Sequence, residues 1–161
     1  MRHDCLITLP SRRILQAALG ATLLLCGCAV YLLFRSKTIR LYQWCAWAGL
    51  SEPIDALRTA VAGWPLADVL RYSLPDGLYC TSYILLMDAV WAGGGRIRYC
   101  AVALMPLVAV AHELAQLAGI APGTFDVADL LCYALPLTVY FAVVRLRSKE
   151  NEEKKTKNLH Y

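Results

Sequence analysis

Six polar residues of this largely apolar chain could carry chemistry: Asp76, His112, Glu113, Gln116, Asp126 and Asp129. His112, Glu113 and Gln116 are spaced three and four apart, which on a helix turns all three toward one side. A carboxylate there could exchange a proton or accept hydrogen bonds from a ligand, with the histidine as relay. His112-Glu113-Leu114-Ala115-Gln116 resembles the HExxH zinc motif but places Gln116 where the second histidine belongs. Gln is a poor zinc ligand, and the other histidines, His3 and His160, lie in the termini. We therefore expect no metal and no cofactor. Neither a serine nucleophile elbow nor a phosphate-cradling loop occurs, and Gly93-Gly94-Gly95 reads as a turn. No catalytic residue is identified, and binding is favoured over catalysis.

Each of these residues also has a plainer use. Asp76 follows Pro75 and precedes Gly77, an ordinary turn and helix-start setting. Asp126 and Asp129 suit a helix N-terminus, where acidic groups cap free N–H groups and complement the dipole. Glu113 could pair with Arg58 or Arg71, and His112 could be an interfacial side chain. Asp88 is explained by neutralisation near Arg96 or Arg98.

These groups need elements to position them, and composition says what kind. The chain has 161 residues, enough for one domain; 58% are hydrophobic and 17% charged. Soluble domains run at about 45–50% apolar and about 25% charged, so both values point to a membrane class. The net charge of +4 comes from basic residues that flank apolar runs and crowd the tail. That distribution is a topology signal and not a nucleic-acid footprint. Seven cysteines occur without CxxC or CxxH spacing and read as small packing residues.

A bilayer core about 30 Å thick takes about 20 residues of helix. Residues 14–34 meet this without a charge, bracketed by Arg12, Arg13, Arg35 and Lys37. The run exceeds the 7–15 residues of a signal-peptide core, so we expect an uncleaved span. Further spans are expected over 77–95, 99–118 and 127–144, the first of these carrying Asp88. Residues 38–74 mix apolar and charged positions with Trp44, Trp47 and Trp64. They predict an amphipathic segment lying on the bilayer or capping the bundle. Residues 149–161 predict a charged, disordered tail. The fold class expected is all-α, a bundle of four transmembrane helices plus this interfacial segment.

Arg96 and Arg98 between spans two and three, and Arg145, Arg147 and Lys149 after span four, mark cytoplasmic sides. The loop over 119–126 has no Lys or Arg and is placed outside. Both termini are then cytoplasmic, although Arg35, Lys37 and Arg40 follow span one on the outer side. Counting from Arg98 at about 1.5 Å per residue puts His112 about 21 Å into the membrane, near the outer leaflet. Asp76, Asp126 and Asp129 open spans on that same side, so topology alone brings the six residues to one level.

Glu113-x-x-Gln116, followed by Pro122-Gly123-Thr124-Phe125-Asp126 and Asp129, resembles the VanZ-like integral membrane proteins. Their pattern is an acidic-x-x-Gln helix, a Pro-Gly-Arg turn with Phe-Asp, a second Asp, and an Asn-x-x-Gly. The match covers about residues 75–140. The turn arginine is absent, Tyr133 stands at the Asn position and Pro136 at the Gly position. If that arginine pairs with the acidic residues in the family, this chain must use another cation or keep a carboxyl protonated. The resemblance implies a small helical bundle of the bacterial cytoplasmic membrane, whose namesake is associated with teicoplanin resistance. It implies no particular reaction. The expected role is binding of a lipid, lipid-linked glycan or glycopeptide at the outer cluster. A proton-coupled transporter or enzyme using Glu113, and a scaffold subunit, are the alternatives.

Overall fold

A computed structural model of the chain describes residues 8–65 and 68–158, and these are helical throughout apart from turns and loops. In chain order the helices are α1 (Thr8–Phe34), α2 (Arg40–Trp47), α3 (Ser51–Val61) and α4 (Asp68–Tyr72). They are followed by α5 (Leu74–Val90), α6 (Arg96–Leu117) and α7 (Val127–Asn158). Helix α5 is the centre: α1 packs along one flank, while α6 and α7 pack on it and on each other.

Small residues make the tightest of these pairings possible. A Cβ on Gly20 of α1 would lie 3.0 Å from Leu86 Cγ, and one on Gly27 would lie 3.4 Å from Leu78 Cβ. The two glycines are seven residues apart on one stripe of α1 facing α5; the approach is tight at Gly20 and ordinary at Gly27, the pattern small residues allow where apolar helices meet. Gly77 gives α5 the same closeness to α7, where a Cβ would stand 3.3 Å from Cys132 Sγ. Cys80, Ile84 and Val102 form the buried core, with Met105, Tyr133 and Tyr140 packed against it.

The outer surface is apolar. Leu15, Leu25, Leu104, Val108 and Val139 are all more than half exposed. Three helical segments are long and apolar enough to cross a membrane: Ser11–Phe34, Arg96–Leu117 and Val127–Glu152. This is consistent with a multi-pass membrane protein. Pro106 and Pro136 sit inside α6 and α7, a placement more readily accommodated in membrane helices than in soluble ones.

The second predicted span is displaced. Instead of 77–95, α5 covers Leu74–Val90, begun by Pro75 at its first turn and followed by a turn through Gly93, Gly94 and Gly95. Its 17 residues rise about 26 Å, less than the bilayer core. The tail also departs from expectation, because α7 continues as helix to Asn158. Glu and Lys are good helix formers, no Gly or Pro interrupts them, and Lys154 pairs with Glu150 at 2.6 Å one turn away.

The segment predicted over 38–74 folds as the three short helices α2, α3 and α4. Lys37 holds Asp55 of α3 at 2.7 Å, and the Tyr42 hydroxyl of α2 donates to the other Asp55 oxygen at 3.0 Å. Arg58 of α3 donates to Leu32 O and, at 2.7 Å, to Arg35 O. These are terminal carbonyls of α1, which a basic side chain stabilises both by hydrogen bonding and by charge.

Candidate functional site

The end of the bundle where α1 and α6 finish and α5 and α7 begin carries the polar cluster. Glu113 lies one turn before the end of α6 and is only 6% exposed. Its Oε2 accepts the Asp126 backbone N–H at 3.4 Å. Arg58 is committed to α1, so the expected pairing of Glu113 with Arg58 does not occur, and no basic side chain among the described residues forms an ion pair with Glu113.

Gln116 joins the helix to the following loop. Rotating its amide so that nitrogen and oxygen both find suitable partners lets the nitrogen donate to Thr124 O at 3.1 Å and Glu113 Oε2 at 3.2 Å. In the other orientation it meets Pro122 O and His112 Nδ1, both at 3.3 Å. The loop can approach only because residue 123 is glycine. Its φ is +127°, and a Cβ there would stand 2.9 Å from Gln116 Cδ.

Asp126 does what its plainer reading predicted. Its Oδ1 accepts the Ala128 N–H at 2.8 Å, capping α7. Asp129, in the first turn of α7, is different. Its Oδ1 is buried and has no hydrogen-bond partner among the described residues. Asp129, Glu113 and the Tyr133 hydroxyl all act electrostatically on Asp76 in the first turn of α5. The cation that acts on Asp76 is Arg35 at the end of α1, held between the rings of Tyr31 and Tyr72 at 5.1 and 5.0 Å.

Asp76, Glu113 and Asp129 are therefore one electrostatic group, with Gln116 and Asp126 attached through Glu113. His112 is exposed on the rim and reaches the group only by way of Gln116. Two members were not singled out from the sequence, Arg35 and Tyr133. Tyr133 was legible, since it lies four residues after Asp129 and so on the same face of α7. Arg35 looked like a flanking topology charge, and only the return of α5 beside the end of α1 gives it a carboxylate to face.

Asp76 also forms part of the wall of an open cavity of about 510 Å³ with Tyr31, Thr38, Arg40, Trp44 and Tyr79. Aromatic faces beside a carboxylate and a guanidinium make an amphipathic recess, able to stack on a ring and hydrogen-bond its substituents. Among the described residues no three His, Cys, Asp or Glu side chains are arranged to hold a metal ion. Comparison with models of protein families, with curated proteins and with solved structures finds no match.

Proposed function

We propose that the chain is a VanZ-like, four-span protein of a bacterial cytoplasmic membrane that binds the head group of a lipid-linked glycan or glycopeptide on its outer side. The observation that carries the reading is the buried Asp129 Oδ1, which has no donor among the described residues and is electrostatically linked to Asp76 on the wall of the aromatic recess. A buried acceptor without a partner costs free energy, and a ligand hydroxyl or ammonium would relieve that cost. Head groups of this class offer many such donors, and their rings suit Trp44 and Tyr79.

The fourth span in this reading is α5. Although short, it is sheathed by three other helices, so little of its backbone would have to meet lipid. Helices α2 and α3 then lie at the outer face with Trp44 and Trp47 exposed toward the head groups. Arg35 breaks the positive-inside pattern because Asp76 requires a cation there, and it stands in for the arginine that VanZ-like turns carry.

Titration of the purified protein in nanodiscs with a lipid-linked disaccharide, followed by tryptophan fluorescence, tests the proposal. Saturable quenching that is lost in Asp129→Asn and Trp44→Phe is the expected result. Quenching that persists in both variants would exclude this site.

A buried Glu113 without a cationic partner among the described residues also favours a second reading, proton-coupled transport. There, Glu113→Gln abolishes proton uptake by proteoliposomes while insertion stays normal. Uptake unaffected by that substitution ends the transport reading and leaves the binding one.

A further inference from the structure

At the opposite end of the bundle, α1 and α7 flank α5 and leave a cleft of about 490 Å³ between them, within the range of ligand-binding cavities. Its floor is Ile84, Leu85 and Asp88 of α5, and one wall is the α7 stripe Leu135, Val139 and Val143. Asp88 is only 6% exposed and fully engaged. Arg98 Nε donates to its Oδ1 at 2.5 Å, Gln16 Nε2 to its Oδ2 at 2.7 Å, and the Tyr140 hydroxyl also donates to Oδ1.

That network fixes the Arg98 guanidinium without using it up. Only Nε is committed to the carboxylate, and the side chain remains 28% exposed on the cleft wall. Arg147 lines the same end of the cleft, is exposed, and has no hydrogen-bond or ion-pair partner among the described residues. Two guanidiniums against one carboxylate leave the cleft one positive charge in excess. From Arg147 to Leu135 is twelve residues of helix, a rise of about 18 Å. Half of a bilayer core about 30 Å thick is about 15 Å, so the groove is one leaflet deep with its charge at the head-group end.

We propose that this cleft seats one anionic phospholipid, its phosphate held by Arg98 and Arg147 and one acyl chain laid along Leu135, Val139 and Val143. The planar guanidinium suits a phosphate, which it can engage through two parallel N–H groups. Apolar side chains that would have no partner in water have one in the chain. Arg12 and Arg13, one turn before Gln16 on α1, add to the attraction of this end for anionic head groups.

Native mass spectrometry of the full chain, released from detergent after incubation with phosphatidylglycerol or with phosphatidylcholine of the same chains, reads the proposal. One phosphatidylglycerol is retained in preference to phosphatidylcholine. Val139→Trp, which fills the groove from an exposed position, loses it, and Arg147→Gln weakens it about fivefold. Arg147 lies on the exposed end of α7, so that variant decides the matter even if Val139→Trp fails to accumulate. Equal retention of the two lipids, or retention unchanged in Arg147→Gln, overturns the proposal. So does displacement of the lipid by inorganic phosphate alone, or a dimer of the wild type that Val139→Trp converts to monomer.

Discussion

Gly123 and Gln116 meet so closely that a Cβ on the glycine would stand 2.9 Å from the glutamine Cδ. The contact folds the α6–α7 loop back onto α6 and brings the Asp126 N–H to Glu113. Gly123→Ala both closes the gap and forces an alanine to φ +127°. It should lower stability by about 1–3 kcal/mol in thermal unfolding, with the loop losing amide protection. Unfolding at the wild-type temperature would mean that the loop does not depend on this approach.

Asp88 and Arg98 provide a second test. Arg98→Ala leaves Asp88 buried and uncompensated, which should cost about 3–5 kcal/mol. Adding Asp88→Asn should recover much of that loss, because the neutral amide still meets Gln16 and Tyr140. A double-mutant cycle read by chemical denaturation in detergent measures the coupling; additive losses would show that the pair is not coupled.

The glycine stripe of α1 predicts a contrast. Gly20→Leu drives a side chain into Leu86 and should destabilise by about 1–3 kcal/mol. Gly27→Ala meets Leu78 Cβ at 3.4 Å, an ordinary contact, and should be close to neutral. Equal effects of the two substitutions would place the α1–α5 interface elsewhere.

Docking of α3 depends on pH through Asp55. The Lys37 ammonium, followed by the Tyr42 hydroxyl, holds the Asp55 carboxyl below its usual range, and Asp55 in turn raises Lys37. A carboxyl lowered by folding stabilises above its ordinary pKa of 3.8 and loses that contribution as pH falls below it. A raised lysine stabilises below 10.5 and loses its contribution as pH rises further. Hydrogen exchange over Ser51–Val61 should therefore speed up in acid below about pH 4, relative to its intrinsic rate, and Asp55→Asn should flatten that dependence. An unchanged profile in the variant would remove the ion pair as the cause.

Asp129→Asn separates folding from binding. No hydrogen bond is lost at Oδ1, and a negative charge facing Asp76 disappears, so the fold should be unharmed or slightly stabilised. Thermal unfolding checks this directly, and a destabilised variant would mean that the carboxylate has a structural duty instead.

What the sequence determined by itself is the class of solution. Long apolar runs over 14–34, 99–118 and 127–144 leave only helices as a way to satisfy the backbone in lipid, and three such helices are present. Periodicity also put Glu113 and Gln116 on one side of α6, and turn chemistry anticipated the cap at Asp126. Tertiary structure decided which charges meet. Arg98 rather than Arg96 takes Asp88, joined by Gln16 and Tyr140 from helices 72 and 52 residues away in sequence. Arg58 turns to the end of α1, Arg35 acts electrostatically on Asp76, and Asp129 keeps an oxygen without a donor among the described residues. Apart from the pairing of Asp88, which the nearby Arg96 and Arg98 made expected, none of this has a sequence signature, because an ion pair or an orphaned acceptor is a property of two or more elements at a distance of a few ångströms. The short α5 shows the same limit: its apolar run alone is marginal, and its burial comes from the three helices that surround it. The six polar residues thus resolve into an electrostatic group of buried Glu113 with half-buried Asp76 and Asp129, with Gln116 and Asp126 linking it to the α6–α7 loop and His112 on the rim.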